Sequence, residues 1–159
     1  MPKRMENYST YDPSEWDWNL EGKYPEGGVI SIVSEPGGNK VTNYKDLWIY
    51  SQSRILVTDV YRLTQKLPKE EMYGLTSQLR RASVSVPSNI AEGWGRNKNG
   101  YFLLGLSYSR GSIHEVETQL LICSDLEFLT TDEINPLLGK IAAISSGLLK
   151  FMNTLDTKR

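Results

Sequence analysis

The residues best suited to chemistry lie in one stretch, Gln78-Leu79-Arg80-Arg81-Ala82-Ser83-Val84-Ser85-Val86-Pro87-Ser88-Asn89-Ile90-Ala91-Glu92-Gly93-Trp94-Gly95-Arg96. Two adjacent arginines, a proline, an amide and a carboxylate stand there among small residues. A guanidinium fork donates two parallel hydrogen bonds, which suits a carboxylate or a phosphate equally. Two arrangements fit. In the structural one, Arg81 or Arg80 pairs with Glu92, Glu115 or Glu117, partly buried, and Asn89 completes a polar network that fixes helix register. In the binding one, Arg80, Arg96 and Lys98, with Arg81 as a further candidate, contact phosphate at one end of a helical assembly. A second basic set, Arg54, Arg62 and Lys66, recurs at multiples of four and is expected to share one helix face. Its alternative is an ordinary solvated surface.

Enzyme chemistry finds little support. Cys123 is the lone cysteine and His114 the lone histidine, which leaves no disulfide and no multi-histidine or multi-cysteine metal site. Cys123 falls on an apolar stripe, where an inert buried thiol is expected. His114 follows a stripe residue and is expected at a boundary or on the surface. Gly93 and Gly95 do not follow a strand, so they do not form a phosphate-binding loop. No catalytic residue, cofactor or metal is assigned.

Four helices must position these groups. The first, about 44–66, carries the stripe Ile49, Ser53, Leu56, Val60 and Leu63, with Asn43 as its expected N-cap and Leu67-Pro68 as its stop. The second is expected to begin at Pro68 and to bury Met72, Leu75, Leu79, Ala82, Val86 and Ile90, kinked at Pro87 and ending at Gly93-Trp94-Gly95. The third, about 100–125, has the cleanest stripe: Phe102, Leu106, Ser109, Ile113, Val116, Leu120 and Cys123. In the fourth, Thr130 and Glu133 match a capping box before Ile134, Leu137, Ile141, Ile144, Leu148, Phe151 and Leu155, with Asn135 as the other possible cap. Short connections between four similar amphipathic helices predict an all-α, antiparallel up-down-up-down four-helix bundle. Leu103, Leu104, Leu121, Leu138, Leu149 and Met152 widen the apolar arc of the last two helices and point to a subunit interface.

Composition divides the chain into an N-terminal extension, 1–43, and the bundle, 44–159. Residues 1–41 hold four basic and seven acidic side chains, whereas 42–159 hold fourteen and twelve. The extension also carries a β-like run at 29–33 that could join a partner's sheet edge, and the stretch Tyr11-Asp12-Pro13-Ser14-Glu15-Trp16-Asp17-Trp18. Its large rigid side chains beside negative charge suit a basic, partly apolar groove on a partner or a neighbouring subunit, with Tyr11, Trp16 and Trp18 as anchors. A passive tail is the alternative. The whole chain has a net charge of −1, which gives no global nucleic-acid signature. With no membrane-length apolar run and no apolar core behind Met1-Pro2-Lys3-Arg4, a soluble cytoplasmic protein is expected.

The segments Tyr44-Lys45-Asp46-Leu47-Trp48, Tyr73-Gly74-Leu75-Thr76-Ser77-Gln78-Leu79-Arg80-Arg81-Ala82, Ser85-Val86-Pro87-Ser88-Asn89-Ile90-Ala91-Glu92-Gly93 and Glu115-Val116-Glu117-Thr118-Gln119-Leu120 closely resemble the four-helix-bundle family of 23S rRNA intervening-sequence proteins. That family is related in fold to the accessory variability determinant proteins of diversity-generating retroelements. The resemblance implies a cyclic homo-oligomer, typically a homopentamer. For the retroelement relatives it implies binding to a reverse transcriptase and to RNA or cDNA. The leading expectation is therefore a non-enzymatic oligomeric accessory factor of a reverse transcriptase. The other is an orphan structural or protein-interaction module with no nucleic-acid role.

Overall fold

A computed structural model describes residues 43–156. Tyr11, Trp16, Trp18 and the run 29–33 lie outside the described residues. Four helices follow one another: α1 (Trp48–Leu63), α2 (Leu75–Gly95), α3 (Asn99–Asp125) and α4 (Thr131–Asp156). Among the described residues there is no strand, and no helix is long and apolar enough to cross a membrane.

Ion pairs across the bundle give its topology. Asp59 meets Lys140 and Lys66 meets Glu133, so α1 and α4 run in opposite directions. The glycines Gly93 and Gly105 oppose each other across α2 and α3, while Ser109 reaches Val86, again antiparallel. Each helix touches its neighbours in chain order and α1 touches α4, which closes the ring of four. The core runs along the common axis. Phe102 stands at one end of it, edge-on to Trp94 and Phe151 with ring centroids 5.4 and 5.5 Å away. Every residue of the stripes expected for α3 and α4 is buried, as are the five of α1.

The helix starts differ from expectation in two places. Asn43 caps a 3₁₀ turn, Tyr44–Asp46, by accepting the Lys45 amide at 3.0 Å; the N-cap of α1 is the buried, extended Leu47. Nor does α2 begin at Pro68. The chain makes a 3₁₀ turn over Lys69–Tyr73, breaks at Gly74, and starts α2 at Leu75, whose amide donates to Glu71 Oε2 at 2.9 Å. Met72 consequently leaves the stripe and is 49% exposed. Three residues per turn do not continue a 3.6-residue register, which is why the stripe restarts at Leu75.

Pro87 is absorbed inside α2, buried, and the helix continues two further turns. Its end and that of α3 turn on residues with positive φ, Asn97 (54°) and Glu127 (59°). At α3 the Phe128 amide donates to the Cys123 carbonyl (2.9 Å) and the Glu127 amide to that of Ser124 (3.0 Å), the two bonds of a Schellman cap. The α4 start matches its motif: Thr130 Oγ1 accepts from the Glu133 amide (3.3 Å), and Glu133 Oε2 accepts from the Thr130 amide (2.8 Å).

Candidate functional site

The stripe Leu79, Ala82, Val86 sets where α2's polar side chains point. It turns Arg80 toward α1, where Nε donates to Thr64 Oγ1 at 3.0 Å and the guanidinium lies 4.8 Å from the Tyr61 ring centroid. Arg81, one position on, is exposed. The carboxylates expected as its partners are engaged elsewhere. Glu92 accepts from Arg96 Nη2 at 2.6 Å, Glu117 faces His114 Nδ1 at 3.1 Å, and Glu115 accepts from Gln119 Nε2 at 3.1 Å. The network of Arg81, Asn89, Glu92 and Glu117 therefore does not assemble. Arg80, half-buried, is the arginine that holds two helices together.

The expected phosphate patch is divided as well. Arg80 and Arg96 are separated by sixteen residues, about 24 Å along a helix, and so stand at opposite ends of α2. Arg96 is held by Glu92 and lies 5.5 Å from the Tyr101 ring centroid; the Glu92 hydrogen bond and then its charge raise the guanidinium above its ordinary pKa. Lys98 is exposed just before α3. The set Arg54, Arg62 and Lys66 does not share one face. Arg62 leans on Asp59 (3.8 Å) and Lys66 crosses to Glu133 on α4 (2.8 Å), because the 3₁₀ turn Thr64–Lys66 swings the chain after α1 ends. Arg54 alone faces α2. It lines a groove of about 510 Å³ with Ser51, Ile55, Thr58, Val84 and Pro87.

His114 joins α3 to α4. Its Nδ1 meets Glu117, and its Nε2 lies 3.3 Å from Ser145 Oγ. Carboxylate, imidazole and hydroxyl in that order are the parts of a proton relay. Ser145, though, is nearly buried in the middle of α4, where the surrounding amides belong to the helix ladder. The trio ties α3 to α4. The sequence offered no signal for Ser145, which lies between the stripe residues Ile144 and Leu148. Cys123 is buried, and burial first, the Glu71 charge second, push its thiol up to about 11. It stays protonated at neutral pH.

Of the six apolar side chains expected to widen the arc, Leu103, Leu138 and Met152 pack against the core, while Leu104, Leu121 and Leu149 remain exposed. The larger exposed set follows α3 alone. Tyr101, Leu104, Tyr108, Gly111, Glu115, Thr118 and Ile122 recur with alternating spacings of three and four, and all are exposed. Its polar middle hides that seam from a search for apolar stripes, and burial is what reveals it. Its apolar half borders a groove of about 280 Å³ over the place where α2 and α3 cross at Gly93 and Gly105.

A family model described as 23S rRNA-intervening sequence protein matches residues 45–150. The crystal structure of a protein with unknown function from the S23 ribosomal protein family of Bacteroides thetaiotaomicron is similar in fold. It is 17% identical, with a TM-score of 0.61 over 65% of this chain and 97% of that one. No curated protein matches the chain.

Proposed function

The chain belongs to the 23S rRNA-intervening sequence protein family, and from that we propose a non-enzymatic bundle that assembles with copies of itself and acts as an accessory factor to a larger macromolecular partner. The observation that carries it is the α3 seam. Tyr101, Leu104 and Tyr108 are 45, 45 and 57% exposed on one helix face, large side chains with no core to enter. Aromatic anchors beside a shallow groove are the usual centre of a protein interface. A helix from a second copy laid along the seam would cover them, and the resemblance to ring-forming proteins makes a closed cyclic oligomer, five chains, the expected product. Light scattering on the full chain tests this. A mass several times 18.0 kDa is expected, falling to one chain in Leu104→Glu and Tyr108→Glu with helicity unchanged. A monomer at micromolar concentration overturns it.

A finer form of this reading has the assembly hold a reverse transcriptase with its RNA or cDNA. Arg81 and Lys98 favour a phosphate partner, since both are exposed with no carboxylate in salt-bridge range among the described residues. Binding to single-stranded RNA would then weaken with salt at a log–log slope of about −0.7 per contact, and each of Arg81→Ala and Lys98→Ala would lower that slope. Absence of binding at low salt leaves the module of protein–protein type.

A further inference from the structure

We infer that the stretch 11–18 docks in the groove between α1 and α2 of its own chain, its carboxylates against Arg54 and its indoles on the apolar floor. The groove's chemistry is one-sided. Ile55, Val84 and Pro87 supply apolar surface, Arg54 supplies a cation, and no carboxylate lines it. The two helices that form it have no spare acid either. Within α1 the only acid is Asp59, held by Lys140 and Arg62, and within α2 it is Glu92, held by Arg96. An unmatched positive, apolar groove is thus built into this side of the bundle.

The stretch 11–18 is its complement. It carries Asp12, Glu15 and Asp17 without a single base, together with Tyr11, Trp16 and Trp18. Side chains alternate along an extended chain, so in that form Glu15 and Asp17 would share one side with Tyr11, and Trp16 and Trp18 the other side with Asp12. Indoles would lie on Val84 and Pro87 with the Glu15 and Asp17 carboxylates at the rim. About 510 Å³ is within the range of roughly 300–1,000 Å³ that holds ligands of this bulk. Chain connectivity favours this occupant over a separate molecule. The described chain enters beside α1 at Asn43, and Arg54 lies six residues, about 9 Å, beyond the helix start at Trp48. The twenty-four residues between Trp18 and Asn43 span up to about 80 Å, several times what is needed. Tethering raises the local concentration to the order of millimolar, so a weak contact suffices. A nucleic-acid strand fits less well, since the floor is aliphatic and offers no ring on which bases stack.

Photocross-linking on the full chain tests the proposal. Benzoylphenylalanine replaces Trp16, and equal parts of isotope-labelled and unlabelled chain are mixed in denaturant, refolded together, irradiated, digested and read by mass spectrometry. Cross-links to 51–58 or 84–87 within one isotopic species are expected. Their yield should fall roughly tenfold in Arg54→Glu and hold in Lys69→Glu, a reversal away from the groove. Cross-links joining the two isotopic species would give the groove to a second copy's segment and overturn docking within the chain. Cross-links elsewhere, none at all, or an unchanged yield in Arg54→Glu would also overturn it. So would a 4-thiouridine RNA that cross-links to 54–58 in the unmodified chain, which assigns the groove to nucleic acid.

Discussion

Glu133 does two things at once: it closes the capping box of α4 and reaches across to Lys66 beyond the end of α1. The Lys66 hydrogen bond, then those from the Thr130 amide and hydroxyl, lower its pKa from 4.5 to about 2. A carboxylate held lower when folded contributes stability that is complete above about 4.5 and lost as the pH falls toward 2. Glu133→Gln should therefore lower the melting temperature at pH 7, with the gap to the unmodified chain closing near pH 2, as thermal unfolding across that range would show. The Cys123 thiol gives a second expectation. At pH 8 a thiol-reactive disulfide should modify it at least about a hundredfold more slowly in the folded chain than in denaturant. Capping chemistry was legible here because Thr130 and Glu133 are three residues apart and act locally. Arg80 and Arg81 were not, since their roles depend on which of two adjacent positions the α2 stripe turns toward Tyr61 and Thr64.

At the scale of elements, small residues decide how closely helices lie. A Cβ on Gly105 would stand 2.5 Å from the Asn89 carbonyl oxygen and 2.9 Å from the Gly93 Cα, both backbone atoms that cannot step aside. Gly105→Ala should cost about 1–3 kcal/mol in denaturant unfolding. Gly111 lies in the same helix with nothing near its missing Cβ, and Gly111→Ala should stabilise by roughly 0.5–1 kcal/mol. The opposite signs separate packing from helix propensity. Periodicity gave the stripes of α1, α3 and α4 almost residue by residue, because each is a continuous helix with one buried face. It misplaced the start of α2, where the 3₁₀ turn Lys69–Tyr73 carries residues that read as helical, and only Gly74 marks the break. Pro87 does not end α2, which runs on to Gly95 as the sequence led one to expect.

Over the whole molecule, the order of the helices was legible because short connections force neighbours to pack antiparallel. The surface was harder to read. Charge alone suggested one basic end, whereas the fold pairs Arg62, Lys66 and Arg96 with nearby acids and leaves Arg54, Arg81 and Lys98 scattered over separate regions. The seam on α3 needed the fold as well, since only burial separates an outward heptad from an inward one. The glycine crossing has a last consequence, for the order in which the chain finds its shape. Gly93 and Gly105 meet across a connection of only a few residues between α2 and α3, so closing that hairpin costs little loop entropy, whereas α1 must wait for α4 from the far end of the chain. The hairpin is the natural nucleus. In stopped-flow chevrons, Gly105→Ala should act mainly by slowing refolding, and Leu148→Ala in α4 mainly by speeding unfolding. The helix that carries the seam, with the helix it crosses, would then be in place before the bundle around them is complete.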